Sequence, residues 1–216
     1  MPPAADTFKI CIATDSHLGY MEKDPVRCDD SFAAFEEVLR HANSSEADLV
    51  LLGGDLFHDN KPSRSVLWKT MDVLKRHALG DRAVAFDVLS DHKDDFAAGL
   101  ANHLSPNHAV ALPVFSIHGN HDDPTRDGPN QPPLAALDLL SAASLVNYFG
   151  RNNMSEDIQV SPVLLRKGRT NIALYGLGNM RDERLNRIWQ KQKLKVRVVG
   201  DAPRRRRPPP RCRPPA

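Results

Sequence analysis

The sequence predicts an α/β fold, a sheet covered by helices, and three observations carry that reading. Short apolar runs recur at 8–13, 48–52 and 111–117, each closing in a polar or glycine-bearing turn. Amphipathic stretches at 31–41 and beyond Pro62 separate them. The composition, 41% hydrophobic and 26% charged over 216 residues, is that of a chain able to bury a core.

The elements follow in order. Residues 8–13 (FKICIA) and 48–52 (DLVLL) read as buried parallel strands. Between them Phe32, Phe35, Val38 and Leu39 share one face of a helix, with Asp29, Asp30 or Ser31 available to cap it, which makes a βαβ unit. A second helix begins after Pro62, with Ser63 as cap and Val66, Leu67, Val73 and Leu74 as apolar positions. The run 111–117 is a further strand ending at Gly119, and 134–143 is helical. Residues 158–165 and 171–175 read as two strands joined by a Lys167-Gly168 turn. Residues 80–110 lack periodicity and read as an insertion carrying His92, His103 and His108.

Charge must be divided along the chain before it is interpreted. The net charge is +2, but residues 203–216 (PRRRRPPPRCRPPA) hold six Arg, six Pro and no acid, leaving 23 bases against 27 acids in residues 1–202. The body is thus −4, and the basic character belongs to the tail. No apolar run reaches the length of a membrane-spanning helix, and the first residues have no apolar signal-like core, so an intracellular chain is expected. Cys11, Cys28 and Cys212 have no CxxC spacing and read as reduced thiols rather than a disulfide framework or a thiolate site.

The chemistry is expected at the carboxyl ends of three strands, where open α/β sheets place their ligands. These ends carry Asp15-Ser16-His17, Gly53-Gly54-Asp55 and Gly119-Asn120-His121-Asp122. Oxygen and imidazole donors in this pattern suit Mn, Fe or Zn better than Ca. The two carboxylate oxygens of Asp55 allow it to bridge two ions roughly 3.5–4 Å apart, and Asn120 adds a neutral oxygen. Each motif alone is weak, and their order and common position give them weight. His41, His77, His92, His103 and His108 follow no strand-end glycine turn and read as solvated or structural, while His118 stays open between the two roles.

Taken together, DSH, GGDLFH and GNHD match the calcineurin-like metallophosphoesterase superfamily. The text between them, HLGYMEKD at 17–24, GGDLFHDNKPSR at 53–64, LPVFSIHGNHDDP at 112–124, LVNYFG at 145–150 and ALYGLGNMRDERLNR at 173–187, resembles the eukaryotic meiotic recombination eleven nuclease family. That family supplies the nuclease subunit of a double-strand-break repair complex.

The resemblance implies the metallophosphoesterase sheet core, two Mn²⁺ per site and cleavage of DNA as exonuclease and endonuclease. Asp15 and His17 would bind one ion, Asp55 would bridge, and Asn120 would bind the second. His121 would protonate the leaving sugar oxygen, and His58 would orient the scissile phosphate. It further implies nuclear residence in recombination and meiosis, a coiled-coil ATPase partner and a homodimer. The pairing helices correspond to about 63–79 and 134–143, where Val66, Leu67, Leu74, Leu137 and Leu140 either form surplus apolar surface or all face the sheet.

The sequence also departs from the resembled family. Members continue to three more histidines, a lone one and a Gly-His-x-His pair, that complete both metal shells. Here the ninth and last histidine is His121, and 95 residues follow it without another. From about Val196 the resemblance ends. Residues 1–195 are therefore expected to be the N-terminal part of a nuclease domain and 196–216 a divergent, disordered Arg/Pro tail of a truncated, alternatively spliced or altered product. Two outcomes stay open: a phosphodiesterase in which water, Asp157, Asp182 or Glu183 replaces the missing ligands, or a catalytically deficient fragment that keeps a pairing or partner-binding surface. A protein phosphatase of the same superfamily would require different text between the motifs.

Overall fold

The structure, a computed structural model, describes residues 3–126, 128–151 and 157–198. The expected divergent tail lies almost wholly outside the described residues. The main sheet is four-stranded and parallel, in the order β1 (Ile10–Ala13), β2 (Leu49–Leu52), β4 (Val114–Ser116), β5 (Asn147–Tyr148). Helices α1 (Asp30–Ser44) and α2 (Arg64–Ala78) connect the strands and cover one face together with α4 (Ala136–Ala142).

The other face is covered differently from the expectation. An antiparallel sheet of β3 (Asp87–Val88), β7 (Pro162–Lys167) and β8 (Thr170–Tyr175) packs there in place of helices. The strand alternation serves both layers. Val50 and Leu52 enter the helical core with Phe35, Leu39 and Leu74, while Leu49 and Phe115 enter the second core with Val163 and Leu165.

The run 158–165 is two strands, not one. β6 (Ile158–Val160) pairs with β9 (Leu194–Val196), and β7 starts afresh at Pro162, which has no N–H to donate to a continuing ladder. β9 runs across the expected boundary at 195/196. The insertion holds β3 and a short helix α3 (His92–Asp95), and it plugs the second core with Phe86 and Phe96. A final helix, α5 (Asp182–Gln190), precedes β9.

Two caps differ in their chemistry. Ser63 Oγ accepts from Val66 N at 3.1 Å, as its position predicts. Asp29 precedes α1 without a side-chain cap, because its carboxylate is held by Lys69 Nζ at 2.5 Å. No described helix is long and apolar enough to cross a membrane.

Of the five side chains considered for pairing, Val66, Leu74, Leu137 and Leu140 are buried in the helical core and Leu67 packs against it. They are not surplus surface. The exposed large apolar side chains on these two helices are Trp68 and Leu139.

Candidate metal centre

Parallel register places three motif-bearing turns at one edge. Ala13 pairs with Leu52 and Leu52 with Ser116, so the chain leaves β1, β2 and β4 side by side. The β1–β2 ladder then continues beyond the strands. Asp15 N donates to Gly54 O, His17 N to Asp55 O, Leu18 N to Leu56 O and His58 N to Leu18 O, at 2.8–3.1 Å. Within this zipped pair Asp15, His17 and Asp55 adopt left-handed backbone, with φ of 55°, 45° and 48°. Such conformations are costly for residues with a Cβ and persist where the surroundings fix them.

Gly119 answers a need that sequence spacing did not show. A Cβ there would fall on the Asp55 carboxylate, so the glycine makes room for a ligand. The carboxylate, almost wholly buried, accepts from His121 N at 2.8 Å. Asp55 thereby fixes the third turn with one oxygen and keeps lone pairs for an ion.

Donor atoms of Asp15, His17 and Asp55 lie within 4.8 Å of one another, as do those of His17, His58 and His121. His17 belongs to both groups. Its Nε2 is 3.8 Å from Asp15 Oδ1, and its Nδ1 is 3.5 Å from His58 Nδ1. The rings of His58 and His121 stack at 5.2 Å, and His17 stands edge-on to His121 at 4.7 Å. Carboxylate and imidazole donors so gathered fit a divalent transition metal. Asn120 is exposed in the turn beside His121. Asp157, Asp182 and Glu183, considered as replacement ligands, belong to neither group.

The proton inventory is readable at His121. Its Nδ1 lies 2.8 Å from the carbonyl oxygen of His58, an atom that only accepts, so Nδ1 carries hydrogen and Nε2 is left for exchange. Tyr20, exposed, stands edge-on over His58 at 5.0 Å.

Sequence reading assigned Asp122 no role, yet it organises the site. Fully buried, it accepts from Gly119 N at 2.7 Å, Leu56 N at 2.9 Å and Phe57 N at 3.3 Å, binding the second and third turns together. Burial pushes its carboxyl up, and the three N–H donors oppose that rise. The only sequence signal was its place directly after GNH. His118, left open above, is structural: its buried ring meets Tyr148 Oη at 2.7 Å, and burial lowers its pKa.

The calcineurin-like phosphoesterase family model matches residues 8–209. The chain is 52% identical over 200 residues to the double-strand break repair protein MRE11 of Gallus gallus, covering 91% of this chain and 28% of that protein. It is 53% identical over 192 residues to the protein of that name from Arabidopsis thaliana, covering 86% and 26%. Against that of Homo sapiens it is 51% identical over 192 residues, covering 88% and 27%. The chain thus spans about a quarter of the length of these relatives. Three strand-end turns that gather carboxylates and imidazoles, together with a family match over nearly the whole chain, lead to one conclusion: this chain belongs to the calcineurin-like phosphoesterase family.

Proposed function

We propose that the chain is the N-terminal part of a Mn²⁺-dependent DNA phosphodiesterase acting in double-strand-break repair, with exonuclease and endonuclease chemistry. The convergence of Asp15, His17 and Asp55 with His58 and His121 carries this reading, and the similarity to double-strand break repair proteins supports DNA as the substrate. Asp15 and His17 would hold one ion, Asp55 would bridge and Asn120 would hold the second. Bound Mn²⁺ supplies Lewis-acid neutralisation of the phosphate oxygens. Protonated at both ring nitrogens, His121 would give its Nε2 proton to the leaving sugar oxygen while its Nδ1–H, donated to the His58 carbonyl, holds the ring in place. His58 orients the scissile phosphate.

A second reading rests on the donor set itself. Among the described residues neither donor group includes anything beyond His121. Fewer distal ligands mean weaker metal affinity and poorer positioning. We therefore expect Mn²⁺-dependent cleavage at least about one to two orders of magnitude below that of a chain with the complete histidine set. Metal counting after Mn²⁺ dialysis, paired with a hairpin-DNA assay using Asp55→Ala as blank, tests both readings. Two ions and robust cleavage support the enzyme, and zero or one ion with no cleavage supports the deficient fragment.

The reading extends to nuclear residence in homologous recombination, including meiosis, a coiled-coil ATPase partner and a homodimer. Exposed Trp68 on α2 and Leu139 on α4 are the apolar contacts offered for pairing. Light scattering on the chain and on Trp68→Asp tests the dimer: a monomer at tens of micromolar, or a dimer indifferent to the new charge, removes it.

A further inference from the structure

Tyr20 stands at the rim of the metal centre and has no duty in the reading above. Its ring is 45% exposed, fills no core, and its hydroxyl bonds to no described residue. Among the described residues it stands against one ring only, the imidazole of His58.

The backbone puts it there. Tyr20 N donates to His17 O at 2.9 Å and Glu22 N to Gly19 O at 3.1 Å, so two tight turns follow His17 directly. Gly19 has a φ of 91°, and a Cβ at this position would lie 2.9 Å from Cγ2 of Val66, a buried side chain of α2. Gly19 N also donates to Ser31 Oγ at 3.3 Å, in the first turn of α1. The turn is thus clamped against both helices while the ring at position 20 stays outside them. Leu18, fully buried, bridges to Phe57, and His58 N donates to Leu18 O at 3.0 Å. The same ladder therefore sets the spacing between the backbones of Tyr20 and His58.

A histidine ring turns about its last side-chain bond with little preference of its own, so its neighbours decide its orientation. The His58 ring meets those of His121 at 5.2 Å, His17 at 5.5 Å and Tyr20 at 5.0 Å. In the reading above His17 faces an ion and His121 passes a proton, so neither offers His58 an unchanging contact. Tyr20 does neither. It crosses the His58 plane at 81°, and His58 lies at 23° to His121, which makes a stack of two imidazoles closed by one perpendicular ring. Edge-to-face and stacked pairs are the arrangements that aromatic rings favour.

We propose that Tyr20 is a positioning residue, whose ring holds the His58 imidazole stacked on His121 and so fixes the group that orients the scissile phosphate. The proposal rests on the phosphodiesterase reading above.

Turnover of bis(p-nitrophenyl) phosphate with Mn²⁺ by the full chain reads the effect. Tyr20→Leu is expected to lower kcat about 2- to 10-fold with KM unchanged, the range that an aromatic pair of this geometry supplies. Tyr20→Phe is expected to keep the parent value, since the ring acts and the hydroxyl does not. In a His58→Gln background Tyr20→Leu is expected to change nothing further. An equal loss in both backgrounds, or a loss in Tyr20→Phe as large as in Tyr20→Leu, overturns the proposal. So does a rise in KM seen only with a dinucleotide, which places Tyr20 on the substrate itself.

The metal-free chain gives a second readout that needs no turnover. In NMR spectra of isotope-labelled histidine, the His58 ring C–H resonance is identified by its absence from His58→Gln. It is expected to move in Tyr20→Leu and to hold its place in Tyr20→Phe, with the His103 resonance unmoved in both. A His58 resonance that Tyr20→Leu leaves in place overturns the proposal whether or not the chain cleaves. Displacement as expected, with no turnover in the parent, counts against the phosphodiesterase reading alone.

Discussion

Two groups of histidines show how differently one side chain is used in this molecule. His17, His58 and His121 sit in partly exposed turns at the end of the parallel sheet, each within reach of another donor. His92 and His103 are folded into the segment between α2 and β4. Burial pushes the His103 pKa down to about 4, and neither of its ring nitrogens has a hydrogen-bond partner among the described residues. Its ring meets Phe86 edge-on at 5.3 Å, so it is a core aromatic that happens to contain nitrogen. His92 accepts from Ala101 N at 3.1 Å and pins the insertion. What separates the groups is the backbone that carries them: a strand-end turn leaves ring nitrogens facing shared space, and an aromatic plug does not.

The sharpest way to break this contrast is to remove what holds the turns without touching a donor. Asp122→Ala leaves two buried N–H groups and a partly buried one without their acceptor and is expected to cost about 3–5 kcal/mol in urea unfolding, with metal binding lost in parallel. A loss under 1 kcal/mol would mean that the turns hold themselves. Next comes the donor itself. Asp55→Ala should lower Mn²⁺-dependent phosphodiester hydrolysis by at least about 100-fold, or about 2.7 kcal/mol of barrier, while His103→Leu leaves metal stoichiometry untouched. Equal metal loss in both variants would erase the distinction between the groups.

The insertion has its own titration. Burial raises the Asp95 carboxyl to about 6, and its Oδ2 has no hydrogen-bond partner among the described residues. An acid whose folded pKa lies above its unfolded value stabilises most below the unfolded value, and that contribution is lost as pH rises toward about 6. Asp95→Asn is therefore expected to raise stability at pH 7 by an amount on the order of 1–3 kcal/mol, with the gain vanishing near pH 4. A constant gain from pH 4 to 7 in thermal melts would show that charge is not the cause.

The smallest effect belongs to the surface between α1 and α2. There Arg76, and then His77, hold the Glu36 carboxyl down to about 2. A depressed carboxyl contributes stability above its unfolded value, lost as pH falls toward about 2. Glu36→Gln should cost less than about 1 kcal/mol at pH 7, and the difference from the parent should close in acid. A deficit that stays constant down to pH 2 would point to packing instead.

Much of the site could be read from the sequence because its signals are local. An apolar run that ends in Gly53-Gly54-Asp55 announces both a strand and what the strand presents. Asp122 could not be read in this way, since two of its three partners, Leu56 and Phe57, lie far away along the chain. The split between β6 and β7 had a local sign in Pro162, overlooked because the apolar pattern runs through it. The hairpin of β7 and β8 was legible, but not its packing as a second layer on the main sheet, because the aromatic side chains that fill the space between, Phe86 and Phe96, follow no period. Helical period alone also could not say how many faces of α2 and α4 the core covers, and so Val66, Leu74, Leu137 and Leu140 read equally well as surface.

The parallel register has a kinetic consequence. Ala13, Leu52 and Ser116 become neighbours only after α1, and then α2 with the whole insertion, have been looped back. Closing such distant segments is slow and yields little until the last strand docks. The paired β1 and β2 carry Asp15, His17 and Asp55 in their left-handed turns, and Gly119 and His121 join them only through the docking of β4. A divalent ion that prefers the finished arrangement of all three turns therefore stabilises the folded chain against any state in which β4 has not docked.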